Sequence, residues 1–526
     1  MGFIDFYGEI TNHNSLCDVN GISQKVTDQE LVSFLYSRYK EDVVHELEGR
    51  YAFAIANGRD CFIVRDRFGF KTMYYTVSGG YMYFGSNIKS LIQRLKLRVK
   101  INPDAIYHYL TFGALPGDIT WFEGIYKLEP GTYISFRNGF TNKHKYYDVS
   151  QIINEPLDDE NVCDRIDCYL KDFFAEKNNY QVALSGGTDS CLLAAVSSNL
   201  KKNYSAVSVF INNKMGEETE RIYKIKDYIT PNITFISCTV SSQSISELAQ
   251  YISEYIYEPM QLMDMVLMSA LLDSDDGIEY IFGEGADELG GYQEYLKVNA
   301  INTLMNTRKN WRAVKRHYKG YCIADKHVTG MNEEEKKRIW VAEPCECSYE
   351  YIYRLYEKIE CSGSDSFYRK LQCVDFSFRL PEYLLRRLDV LSDLFGKRVC
   401  LPFLSRPLAE YCMHMNKAKM MSDKRVKCAF KDLLYKYIPN DVWERKKLGL
   451  GDGLGDFVGG VLLQNYISEI EADYQNPLFG YIDREKVGRL VREQTRLVWN
   501  FYSLGIWLKT LDKEDQIEKT TTMKKL

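Results

Sequence analysis

The sequence predicts an α/β protein, and three features of its patterning carry that prediction. From residue 181 onward, short β-branched runs alternate with helical stretches, the signature of a doubly wound parallel sheet with helices on both faces. The first 150 residues hold closely spaced aromatic and β-branched runs punctuated by glycine, which read as an α+β domain. From about residue 291 to the end the pattern is largely helical.

Taken in order, 28–39 reads as a helix. YAFAIA (51–56), CFIVRD (61–66), TMYYTV (72–77) and YMYFGS (81–86) read as strands, 87–95 as a second helix, and TYISFRNG (132–139) as a further strand. Composition shifts at VSQIINEPLDDE (149–160), a polar stretch with a proline, which sets domains of 1–150 and 151–526. Val162, Ile166, Leu170 and Phe173 then mark one helical face. QVALSGG (181–187) is a buried strand running into a loop, YSAVSVFI (204–211) a second strand, and EETERIYKIKDYI (217–229) a helix. NITFISCTV (232–240) and IEYIF (278–282) are the third and fourth strands. There is no internal repeat, and the polar tail EKTTTMKKL (518–526) reads as disordered.

Composition narrows the function. A net charge of −5 leaves no basic excess for nucleic acid. No run of about 18 apolar residues predicts a membrane span. The opening MGFIDFYGEI lacks the basic and apolar regions of a signal peptide, and Phe6 stands where a myristoylation signal wants Ser or Thr. The 14 cysteines are scattered, with Cys345 and Cys347 the closest pair, a spacing that suits neither zinc nor a disulfide scaffold. A reducing cytoplasm is the expected location.

The loop Ser185-Gly186-Gly187-Thr188-Asp189-Ser190 carries the chemistry. A strand that ends in it and opens a helix gathers backbone N–H groups and hydroxyls around an anion. A phosphate loop of the common kind ends in Gly-Lys-Ser/Thr, whereas this one holds an acid, Asp189. A carboxylate holds phosphate through Mg²⁺, so the loop suits a pyrophosphate leaving group that carries its own metal. That is the SGGxDS pattern of the ATP pyrophosphatases, which cleave ATP between the α and β phosphates and adenylate a substrate. Ser208, at the end of the neighbouring strand, is placed by the switch-point rule where adenine would be read.

A second stretch, IFGEGADELGGY (281–292), leaves the fourth strand for another glycine-rich turn. Here the chain resembles the asparagine synthetases, whose motif runs Ser-Gly-Glu-Gly-(Ala/Ser)-Asp-Glu, two residues, Gly-Gly-Tyr. The resemblance extends through LEGRYAFAI (47–55), VRDRFGFKTMYY (64–75), GIYKLEPGTYISF (124–136), RLPEYLLRRLDVLS (379–392), LPFLSRPLAEY (401–411) and RKKLGLGDGLGDF (445–457). It implies an incomplete N-terminal-nucleophile sandwich followed by an ATP pyrophosphatase domain. It also implies ATP as cosubstrate, held by the 185–190 loop with Gly283 and Gly285, and Mg²⁺ on Asp189 and Asp287. Glu284 would be the base toward the incoming amine, and Lys447 the cation facing the phosphates and acyl-adenylate. The expected reaction joins a small-molecule or peptide carboxylate to ammonia or an amine, releasing AMP and pyrophosphate.

The chain departs from the family in ways that bear on the nitrogen source. The family's glutaminase domain begins with a Cys nucleophile, where this chain has Gly2. FYGEITNHNSL (6–16) resembles Asn-Gly-Glu-Ile-Tyr-Asn, which lies well inside that domain, so the opening strands are expected to be missing. Tyr7 replaces the family's asparagine, and Cys17 is too far from the terminus to substitute. The single chain is therefore expected not to hydrolyse glutamine. Ammonia would be free or come from a separate glutaminase chain, and a homodimer partner is the family's habit. Arg398, Cys400 and Ser405 surround Pro402-Phe403-Leu404 where the family reads Glu-x-Arg-x-Pro-Phe-Leu-Asp. Asn87 stands for a common Glu, and the Asp-Glu-Leu-Gly-Gly run is one residue short. Two other readings stay open. One is a cyclase of the β-lactam synthetase or lasso-peptide type, against which stand Glu284, where β-lactam synthetases have Tyr, and Asn416, where their further Glu would fall. The other is a non-catalytic binding subunit.

Overall fold

The computed structural model describes residues 3–95, 98–153, 157–211, 217–229, 232–238, 240–261, 263–273, 277, 279–296, 328–361, 366–422, 424–443 and 454–514. Lys447 and the tail 518–526 lie outside them. The N-terminal part is a sandwich of two antiparallel sheets. One has the order β1 (Phe3–Ile10), β2 (Gly49–Asn57), β3 (Asp60–Arg65), β7 (Thr132–Arg137), β8 (Phe140–Lys145). The other has the order β5 (Tyr81–Gly85), β4 (Tyr74–Ser78), β6 (Tyr126–Lys127).

Alternation along β2 explains how the layers fit. Ala52 and Ala54 point to the second sheet and join Ile63, Ile134, Phe136, Met82 and Phe84 in one core. Tyr51 and Phe53, one residue out of phase, meet Leu31, Val32 and Leu35 on the other side. Those leucines and the valine belong to the helix Asp28–Tyr39, where the sequence places it. Its start is a capping box: Thr27 Oγ1 accepts from Glu30 N–H at 3.2 Å, and the Glu30 carboxylate accepts from Thr27 N–H at 2.7 Å.

The second part is built on five parallel strands in the order β11 (Ile233–Cys238), β10 (Tyr204–Ile211), β9 (Tyr180–Ala183), β12 (Glu279–Ile281), β13 (Arg398–Cys400). The first four of these in chain order are the strands that the hydrophobic runs predict. β13 escapes the pattern because its three residues, within KRVCLP, are too few to show a strand period. The buried helix Pro103–Phe112 escapes for the opposite reason: it is enclosed on all sides, so it shows no amphipathic period. The order reverses at β9, which has β10 on one side and β12 on the other. The loops after β9 and β12 therefore face each other across the crevice where such sheets bind ligands.

A buried ionic network joins the two parts. Arg65, fully buried, donates to Glu382 Oε1 at 3.0 Å and to the carbonyls of Lys71, Leu128 and Gly69 at 2.8 Å each. Lys127 holds the other oxygen of Glu382. Beside them Tyr74 donates to Glu258 at 2.6 Å, and Arg386 pairs with Glu258 at 2.9 Å. Burial alone would raise the Glu382 carboxyl, but Lys127 and Arg65 outweigh it and hold it below the ordinary range. A depressed carboxyl stabilises at neutral pH, and that contribution is lost as pH falls through the folded-state value. Glu382→Gln is expected to lower stability by about 3–5 kcal/mol, because it strands two buried cations. The variant should also lose part of the wild-type dependence on acid below about pH 4. Thermal unfolding across pH checks this, and an unchanged melting temperature contradicts it.

Candidate active site

The loop after β9 is organised by its own serines. Ser190 Oγ lies 3.2 Å from both Ser185 N and Ser185 Oγ, and Gly187 N–H donates to Ser185 Oγ at 3.3 Å. Gly186 takes φ +77°, a conformation that only glycine adopts without strain. Gly187 then caps the helix Thr188–Asn199, with Asp189 in the first turn. This leaves a strand, a tight turn and a helix N-terminus, the arrangement the sequence predicts for Ser185, Gly186, Gly187, Thr188, Asp189 and Ser190. Ser208, buried in mid-β10, is next in chain to Val207, whose carbonyl takes the Leu184 N–H at 2.8 Å.

The loop after β12 closes on it. A Cβ at Gly283 would stand 3.0 Å from Asp189 Cβ, so glycine permits the two turns to touch. Gly285, at φ +95°, has Leu404 where its Cβ would be. Asp287 follows in the helix Ala286–Gly290 and points back toward Asp189.

Between the two acids lies a residue that sequence reasoning missed. Lys427 Nζ is 2.5 Å from Asp189 Oδ2 and 2.7 Å from Asp287 Oδ1, and the side chain is buried. Burial favours the neutral amine, but Asp189 and Asp287 outweigh it and hold the ammonium well above its usual range. The backbone of Lys427 is left-handed, φ 56° and ψ 39°, at the cap of the helix Cys428–Tyr437. Its N–H is fixed to Gly290 O at 2.8 Å, and a Cβ at Gly290 would crowd Lys427 Cγ at 2.8 Å. Strain of this kind persists only where the surroundings over-determine it, and it concentrates at functional sites. In the sequence Lys427 is one lysine in SDKRVKCAF, and no local pattern separates it from its neighbours.

Glu284 lies within electrostatic reach of Asp189 and Asp287. Burial pushes its carboxyl up to about 7; Arg387 acts against the rise, and Asp189 and Asp287 add to it. Arg387 is itself buried, with its guanidinium 4.1 Å from the Tyr383 ring centroid. Asp189, Asp287, Glu284, Lys427 and Arg387 thus come from four separate chain segments. Asn416 caps the short helix Lys417–Met420, its Oδ1 accepting from Ala418 N–H at 3.2 Å. The departures near 400 are also committed elsewhere. Arg398 pairs with Glu9 and Glu279, Cys400 Sγ takes Lys177 Nζ at 3.4 Å, and Ser405 donates to Pro402 O at 2.7 Å.

Asp189 and Asp287 converge closely enough to share one ammonium, so they could share a divalent ion with nucleotide phosphates. Among the described residues no group of three or more His, Cys, Asp or Glu could hold a metal. Two carboxylates, with the remaining ligands drawn from phosphate and water, are what Mg²⁺ commonly takes from a protein.

The asparagine synthase family profile matches residues 175–509, and a glutamine amidotransferase domain profile matches 2–147. The chain belongs to the asparagine synthase family. It is similar to asparagine synthetase [glutamine-hydrolyzing] 1 of Bacillus subtilis (strain 168), 22% identical over 553 residues, covering 96% of this chain and 85% of the relative. Asparagine synthetase [glutamine-hydrolyzing] 3 of the same organism is 21% identical over 461 residues, covering 81% and 70%. The amidase chry2 of Gibberella zeae (PH-1) is 29% identical over 204 residues, covering 37% of this chain and 28% of that one. Membership of the asparagine synthase family makes the chain an amide-forming, ATP-dependent ligase at the family level. No helix among the described residues is long and apolar enough to cross a membrane.

Proposed function

We infer that this asparagine synthase family member activates a carboxylate as its acyl-adenylate and passes the acyl group to ammonia or an amine. The observation that carries this reading is Lys427 held between Asp189 and Asp287 in the turns that follow adjacent strands, with both acids within electrostatic reach of Glu284. The 185–190 loop binds the ATP phosphates through main-chain N–H groups and hydroxyls. Asp189 and Asp287 would hold Mg²⁺, which when bound neutralises charge on the leaving pyrophosphate. Lys427 donates to phosphate oxygens once the two acids are engaged, and Lys447 is a second cation for the same task. A carboxylate oxygen of the substrate attacks the α-phosphorus, and the bond to the bridging oxygen of pyrophosphate breaks. Glu284 then takes the proton from the attacking nitrogen, and the amide forms as AMP leaves. Arg387 beside Glu284 keeps its carboxylate form accessible near neutral pH.

Ammonia or an external amine is the proposed nitrogen source. Glu284, standing where the β-lactam synthetases have Tyr, supports amidation over the ring-closing alternative. Glutamine is not expected to be hydrolysed by this chain, a reading that rests on Tyr7 in place of the family's asparagine. ATP–pyrophosphate exchange against a panel of carboxylates, aspartate and peptides with acidic side chains included, tests the proposal. Exchange dependent on one class of carboxylate supports it; ATP cleavage to ADP, or no exchange with any, overturns it.

A further inference from the structure

The helix Ala286–Gly290, which carries Asp287, is five residues long and lies between two glycines of positive φ, Gly285 at +95° and Gly291 at +90°. Glycine leaves the backbone free to turn, so sterics at either end of this helix do little to fix its direction. Its length is no help, because a helix of about one turn leaves its last carbonyls without partners inside it. Where Asp287 points is therefore set from outside.

The outside partners are two buried polar side chains of the helix Ser366–Val374. Gln372, fully buried, donates from Nε2 to Glu288 O at 3.0 Å and to Leu289 O at 3.3 Å. Its Oε1 accepts from Arg369 at 3.2 Å. Arg369 is anchored in turn, donating to Met413 O at 2.9 Å and to Met415 O. The amide can stand only one way round: flipped, it would set its oxygen against two carbonyls and its NH₂ against a guanidinium. The next carbonyl, Gly290 O, takes the N–H of Lys427 at 2.8 Å. Three successive carbonyls behind Asp287 are thus filled by Gln372 and by the main chain of the lysine that Asp287 holds.

We propose that Gln372 is a positioning residue for Asp287: its amide, braced by Arg369, holds the Ala286–Gly290 turn so that the Asp287 carboxylate faces Asp189. The inference rests on the reading of Asp189 and Asp287 as the residues that would hold Mg²⁺. An apolar side chain of the same length would fill the same space. It would leave the carbonyls of Glu288 and Leu289 unpaired and the glycine-flanked turn free to rotate. Groups that orient a metal's ligands matter nearly as much as the ligands, and losing one typically lowers metal affinity about 10–100-fold.

Binding of Mn²⁺ and of α,β-methylene-ATP to the full chain tests this, the ion followed by electron paramagnetic resonance and the nucleotide by calorimetry. Gln372→Met keeps the bulk and removes the amide. With the analogue present, the variant should bind Mn²⁺ about 10–100-fold more weakly than the wild type. Its affinity for the analogue without metal should be unchanged, because the 185–190 loop is untouched. Arg369→Lys keeps Gln372 but loosens its brace, and should weaken Mn²⁺ in the same direction by less. Unchanged Mn²⁺ affinity in Gln372→Met, or an equal fall in both affinities, makes Gln372 a packing residue and overturns the proposal. If that variant does not fold, unchanged Mn²⁺ affinity in Arg369→Lys overturns it. Wild-type protein that binds the analogue without holding Mn²⁺ overturns the reading of Asp189 and Asp287 as metal ligands, and this inference with it.

Discussion

Glu284→Gln should yield a folded protein that makes AMP and pyrophosphate but almost no amide. The substitution keeps the shape of the side chain and removes the basic oxygen that takes the proton from the incoming nitrogen. Loss of a general base costs on the order of 10²–10⁴ in rate, and the cost should fall on the second half-reaction alone. Acyl-adenylate would then form and drain by hydrolysis. The pH dependence gives a second check. Burial lifts the Glu284 carboxyl to about 7, so its basic form is scarce in acid and fills as pH rises through that value. Amide formation by the wild type should climb through pH 7, whereas AMP formation by the Gln variant should lack that step. Measuring AMP and amide separately decides it. Equal loss of both products would remove Glu284 from the second step.

Asp189→Asn should stop pyrophosphate release while the circular dichroism spectrum stays native. Removing this charge withdraws half of the carboxylate pair that faces the phosphates, a loss of about 10²–10³ in rate or more. Unchanged pyrophosphate release would sink the assignment of the loop. Lys427→Met makes the complementary change. It leaves Asp189 and Asp287 facing one another without their buried counter-charge, at a cost of about 3–5 kcal/mol. A divalent ion replaces that charge, and a ligand that binds only the folded state stabilises it. Mg²⁺ should therefore raise the melting temperature of Lys427→Met by more than it raises that of the wild type, while adenylation stays depressed by about 10²–10³. Equal increments in both proteins would show that the two acids do not share a cation site.

Much of the site was legible in the sequence because it is written in contiguous runs. SGGTDS and GEGADE each follow a strand signal, and each needs its glycines for reasons visible within a few residues: a left-handed turn at Gly186 and close approach at Gly283. The alternating strands fixed the sheet and, with the switch-point rule, the crevice. Lys427 and Arg387 were not legible. Arg387 is one of several arginines in RLPEYLLRRLDVLS and nothing local singles it out, while Lys427 belongs to no local pattern and acquires its meaning from an ammonium held by acids 238 residues away in one case. The last strand of the sheet was missed for want of length, and the helix Pro103–Phe112 for want of a polar face.

What the sequence by itself determined is the set of short-range choices: where strands end in glycine turns, which acid stands in each turn, and where strands and helices alternate as a parallel sheet requires. Those follow from backbone sterics and hydrophobic period, which act over a few residues. Only the tertiary structure decided which distant charges meet. It placed Lys427 between two acids and locked Glu382 between Arg65 and Lys127. Burial is what makes these pairings matter. An ion taken out of water must find its counter-charge wherever the fold supplies one, and linear spacing has no say in where that is.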